Sequence, residues 1–144
     1  MRSYFPKLIL ILLLLSLVGC IPVAEYDQSA YDQAVSLKTE SLTLMNKANE
    51  SYSLHQIESD SLKVKVEAAF NYSANRPNNS ESANQWEILK DPGRNLLFGF
   101  LERWKGKDHL SPEFISGAVS LISDAFDTII NLELNKKQFN GGLK

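Results

Sequence analysis

The sequence predicts an all-α fold: a small antiparallel bundle of about four helices behind an apolar N-terminal leader. Three observations predict it. Apolar residues recur at spacings of three and four along most of the chain, the signature of a helix face. No Gly or Pro interrupts residues 23–76, and Arg76-Pro77-Asn78-Asn79-Ser80 and Asp91-Pro92-Gly93 mark breaks after them. No strand alternation or hairpin turn appears in the body, and the one Asn-Gly pair, Asn140-Gly141, lies at the tail. With 144 residues, 44% of them apolar, the chain supports one compact domain.

The elements follow in order. Pro22 breaks helix, so residues 20–25 read as a tether and the domain as residues 26–138. A first helix begins near Tyr26, with Tyr31, Ala34, Leu37 or Lys38, Ser41 or Leu42, Met45, Ala48 and Tyr52 along one face. A change of direction is expected near Ser51 to Leu54. A second helix then runs from about His55 to Asn75, with Ile57, Ser61, Val64, Ala68 and Phe70 to Tyr72 on its buried side. Arg76-Pro77-Asn78-Asn79-Ser80 is a turn by composition.

Ser80 or Ser82 is the expected cap of a short helix through Trp86 and Leu89. Asp91-Pro92-Gly93 is a break, or alternatively the cap of the next helix. That helix covers Asn95 to Lys105 and closes at Gly106. The last helix has the clearest start. Ser111 caps it, Pro112 takes the first position, and Glu113 sits at the positive end of the dipole. Its apolar stripe runs from Phe114 to Leu134, and residues 139–144 read as a flexible tail. The last two helices are the more apolar, so they are expected to form the core, with the first two wrapping it.

Composition excludes several classes. One Cys rules out an internal disulfide framework and a multi-Cys zinc site. A formal charge of −2 argues against a nucleic-acid partner, which needs a clustered basic face.

The leader is the most specific signal. Arg2 and Lys7 precede an apolar run from Leu8 to Val18, and the run ends in Leu17-Val18-Gly19-Cys20. The stretch is short for a bilayer span, which takes about 17–25 apolar residues. These residues resemble the lipobox of bacterial lipoproteins. The resemblance covers residues 1–20. It implies a signal peptide over residues 1–19, cleavage between Gly19 and Cys20, and acylation of Cys20. Palmitate-type chains at Cys20 would then hold the domain to a membrane, because two or more acyl chains anchor stably where one does not. In that class, Asp after the Cys commonly retains the protein at the inner membrane. Ile21 therefore favours the cell outer membrane if the source is diderm. Loss of Arg2 and Lys7 leaves the 125-residue mature chain at a formal −4. The general look of the mature region is similar to that of small helical lipoproteins of uncharacterised function.

Catalytic and metal patterns are sparse. His55 stands three before Glu58, but a metal site needs three or four such ligands. His55 therefore reads as a solvated residue near a helix start. His109 reads as a turn residue beside Asp108. No nucleophile elbow or phosphate-binding glycine loop occurs. Asp124 and Asp127 read as the polar edge of the last helix. The expectation is a protein that is not an enzyme, with no cofactor and no metal.

The candidate interaction residues are Trp86, Arg94, Arg103, Trp104, Lys105 and Lys107, which bring aromatic rings and cations together in an acidic chain. Their plainer reading is core aromatics with helix-end charges. The preferred function is a lipid-anchored envelope protein whose helical domain is an interaction or scaffolding module for an envelope protein partner. The alternative is an immunity- or exclusion-type inhibitor acting against a toxin or phage component. A hydrolase or ligand carrier ranks third.

Overall fold

The computed structural model describes residues 22–141, with side chains to Gln138. Gly19, Cys20, the leader and residues 142–144 lie outside the described residues. The fold is all-α: five helices, with no strand among the described residues. They are α1 (Gln28–Met45), α2 (Tyr52–Ala74), α3 (Ser80–Lys90), α4 (Leu97–Lys107) and α5 (Pro112–Gly141). The segment expected as a minor helix around Trp86 is a full element, as long as α4. α5 packs on α1 and α3, and α2 packs on α1, α3 and α4.

Local chemistry sets the boundaries. Asp27 caps α1 by accepting from the Ala30 N–H at 3.0 Å. The turn after α1 comes earlier than expected. Asn46 ends the helix by turning its amide back to the Leu42 carbonyl at 2.8 Å, and Leu110 then takes the Ala48 carbonyl. α2 starts at Tyr52, and its first donors are satisfied from another part of the chain. Asp108 accepts from the Tyr52 N–H through both its carboxylate and its carbonyl, and from the Ser51 hydroxyl. Asp108 does this with φ 63, a conformation that Asp tolerates better than most residues.

The next helix starts at Leu97 rather than at Pro92 or Asn95, and Gly106 lies inside it. It ends at Lys107, and the N–H of the capping Asp108 reaches the Trp104 carbonyl. Ser111 caps α5 as expected, accepting from the Phe114 N–H at 3.3 Å. α5 runs through residues 139–141, which the sequence assigned to the tail. By length and composition alone α5 also matches a membrane span, but its Ile122, Phe126 and Ile129 are buried in the core.

Two expectations about packing are corrected. The core is shared by all five helices rather than held by the last pair. Leu37, Met45, Leu62 and Val66 are as buried as Leu101, Trp104, Ile122 and Phe126. The buried face of α2 is also not the apolar one. His55, Ser59, Leu62, Val66, Ala69 and Ser73 turn inward, while Ile57 and Val64 stand 86% and 69% exposed. α2 carries two stripes at helical spacing, and the one that turns inward mixes Leu62, Val66 and Ala69 with His55, Ser59 and Ser73. Ser41 of α1 and Ser59 of α2 are buried, and neither hydroxyl has a partner among the described residues.

Candidate functional site

The two ends of the domain differ in chemistry. At one end the chain enters. The Ala24 N–H bonds to the Asn78 carbonyl, and the Arg76 guanidinium to the Glu25 carbonyl. The expected tether is therefore docked from Ala24 onward, and Ala24 itself is buried.

Beneath it lies a buried polar network that the sequence reading missed. Glu133 and Lys136 of α5 are 2% and 5% exposed. Glu133 accepts from Arg76 at 3.1 Å, from Ser82 at 3.2 Å and from Lys136 at 2.5 Å. Lys136 also donates to the Ser82 hydroxyl at 2.9 Å and to the Asn79 side-chain carbonyl. Burial holds the Lys136 ammonium below its ordinary range, and the Glu133 bond opposes that. Nearby, the Tyr72 hydroxyl donates to Asp27 at 2.6 Å and keeps the Asp27 carboxyl below its usual range, helped by the Ala30 N–H and Arg76.

A hollow of about 350 Å³ lined by Val23, Asn79, Leu132 and Lys136 opens beside this network. All three Lys136 donors are already occupied, so the network closes the end of the bundle rather than presenting a free cation. The only sequence signal was the i, i+3 spacing of Glu133 and Lys136, which an ordinary solvated helix face shares.

The other end gathers the α1–α2 turn and the α4–α5 loop. Trp104 is fully buried there, and its indole N–H donates to the Glu50 and Asp108 carbonyls at 3.0 and 3.1 Å. Tyr52 meets it edge to face with centroids 5.4 Å apart. His55 lies against the same ring and is buried, not solvated as expected. Its two ring nitrogens face Glu50 at 2.8 Å and Glu58 at 3.4 Å. Trp86 is also core, edge to face with Phe126. The two tryptophans are thus withdrawn from any partner's reach, because a side chain this enclosed offers no contact surface. Their aromatic–cation pattern in sequence reflected core packing.

The four cations behave differently. Arg94, Arg103, Lys105 and Lys107 are exposed. Arg94 lies 3.3 Å from Asp91. Arg103 sits 4.6 Å above the Phe114 ring, and Phe114 stacks on Phe100. Arg103, Lys105 and Lys107 form no ion pair among the described residues. Arg94 and Arg103 together border a hollow of about 210 Å³ whose walls include Gly99, Phe100, Phe114 and Ala118. Two guanidinium groups beside stacked rings suit an anionic group carried on an apolar frame.

Other titratable residues are tied locally. Asp127 bonds Lys38 at 2.6 Å, and His109 lies 3.0 Å from Asp108. Among the described residues, no three His, Cys, Asp or Glu side chains converge as a metal ion would need. Set against protein-family models, curated proteins and solved structures, the chain matches none of them.

Proposed function

We propose that the protein is a lipid-anchored component of the bacterial envelope, held through Cys20, whose helical domain is a non-catalytic interaction or scaffolding module. The observation that carries this reading is the separation of the two ends. Pro22 leaves the domain where Arg76, Asn78 and Glu133 meet, two residues from Cys20. Arg103, Lys105 and Lys107 belong to the last turns of α4, which closes against the α1–α2 turn at the opposite end of α1. The 18 residues of α1 set those ends about 27 Å apart. That is several times the physiological Debye length of about 8 Å. With α1 standing away from the bilayer, the cationic end lies beyond the reach of anionic headgroups around its own anchor and is available to an acidic surface on an envelope protein.

The test has two arms. Palmitate labelling and membrane fractionation compare the parent with Cys20→Ser; the label and the membrane fraction are expected to vanish together. Photo-cross-linking in intact envelopes then compares the parent with Arg103→Glu/Lys107→Glu. The expected result is a discrete adduct lost on charge reversal with membrane attachment unchanged. Adducts that are identical in both chains would refute the role of the cationic end.

A further inference from the structure

The outward face of α2 carries Leu54, Ile57, Ser61, Val64 and Ala68, all exposed, spaced three, four, three and four. Leu54, Ile57 and Val64 stand 72%, 86% and 69% exposed. Single exposed apolar residues are ordinary. Here three large apolar side chains, with Ser61 and Ala68 in line between and after them, have the spacing of a heptad seam over four turns. The opposite face of α2 supplies the core, so no rearrangement of the fold would bury this row. Ion pairs border it on both sides: Glu58–Lys47 and Glu40–Lys65 toward α1, Lys63–Glu102 and Glu67–Lys90 toward α4 and α3. An apolar strip within a charged rim is the anatomy of a protein–protein contact.

We propose that this face pairs with α2 of a second copy of the chain, side by side and parallel. Charge decides the partner and the direction. In the heptad register Leu54, Ser61 and Ala68 take the a positions, Ile57 and Val64 the d positions, Asp60 a g position and Lys65 the following e position. A parallel pair sets Asp60 of each copy beside Lys65 of the other, twice by symmetry, so that Lys65 is shared between Glu40 of its own chain and Asp60 of the partner copy. Asp60 has no ion pair among the described residues of its own chain. An antiparallel pair centred on Ser61 brings the two Asp60 carboxylates toward each other instead. The parallel arrangement also puts Ala24 of both copies at the same end, beside the carboxyl end of α2. That suits two anchors in one bilayer; this last point rests on the proposed lipid anchor, while the pairing itself does not. The strip is smaller than the roughly 800 Å² per partner of a standard stable interface. The pair is accordingly weak in solution and is favoured where the chains are concentrated on a membrane.

Disulfide trapping of the full-length protein tests it, with each linkage assigned by peptide mass spectrometry so that Cys20 is not confused with the introduced thiol. Ser61→Cys and Ala68→Cys are each expected to give 61–61 and 68–68 links under mild oxidation. Adding Ile57→Glu, at a solvent-facing position, is expected to reduce both at least tenfold while the helical circular dichroism is kept. Ser120→Cys, exposed on α5, is expected to link no more than the Ile57→Glu background. A 61–61 link without a 68–68 link would overturn the parallel arrangement. Equal linkage at Ser61, Ala68 and Ser120, or none, would overturn the pairing. In the Cys20→Ser background the 61–61 link is expected to persist when the chain is concentrated; its loss there, with retention in the anchored chain, would overturn the face as the source of pairing. If Cys20 carries no lipid, both backgrounds behave alike and the pairing is judged on the same linkages.

Discussion

Replacing Glu133 by Gln keeps the side-chain shape and removes the one anion between two buried or half-buried cations. In the parent, Glu133 is 2% exposed and accepts from Arg76, Ser82 and Lys136. Without that charge, every acceptor of Lys136 is neutral: the new Gln carbonyl, Asn79 and Ser82. Removing one partner of a buried ion pair costs about 3–5 kcal/mol. With a urea slope of about 2 kcal/mol per molar, the unfolding midpoint falls by about 2 M. Lys136→Met is the informative comparison. Glu133 still has Arg76 in that variant, so the loss is only about 1–2 kcal/mol, mostly hydrogen bonds. The double variant is expected to be more stable than Glu133→Gln alone, because it removes the stranded ammonium. Urea titration followed by circular dichroism at 222 nm measures all three. A Glu133→Gln midpoint within 0.5 M of the parent, or a double variant weaker than either single, would refute the network as the closure of this end.

Further outcomes follow from single contacts. Asp108→Ala removes the acceptor for the Ser51 hydroxyl and one of the two acceptors for the Tyr52 N–H, the backbone carbonyl remaining, and leaves a less tolerant residue at φ 63; thermal unfolding is expected to show a loss of about 1–2 kcal/mol, with Asp108→Asn losing less. Gly99→Ala places a Cβ 1.7 Å from the Arg94 carbonyl oxygen and is expected to cost about 3 kcal/mol, whereas Gly117→Ala, with open space in α5, is expected to gain about 0.5–1 kcal/mol. The Asp27 carboxyl titrates below its usual range, so its contribution is fully present above about pH 4 and is lost as pH falls through its folded value. Tyr72→Phe removes the main cause of that depression, and acid titration of stability is expected to show a shallower loss below pH 4 than in the parent.

The last helix was legible because its start is written in local chemistry: Ser111, Pro112 and Glu113 need nothing from the rest of the chain. The inward face of α2 was not. Ile57 and Val64 outrank Ser59 and Ser73 in hydrophobicity, but the neighbouring helices selected the face with small side chains, and no periodicity within α2 reports what α1 requires. The start of α2 was similarly hidden, because its cap comes from Asp108, more than fifty residues away. Trp86 and Trp104 show the same limit at the candidate site. Next to Arg103 and Lys105 in sequence, Trp104 points away from them into the core, since consecutive helical residues face different directions. The exposed cations were readable; which aromatic accompanies them was not. It is Phe114, brought to Arg103 from α5.

The proposed lipid anchor is tested most directly by the covalent state of Cys20. Intact-mass and amino-terminal peptide analysis of protein purified from whole cells is expected to show a chain starting at Cys20 with its thiol carrying a diacylglyceryl group. A chain beginning at Met1 with a free Cys20 thiol would contradict it.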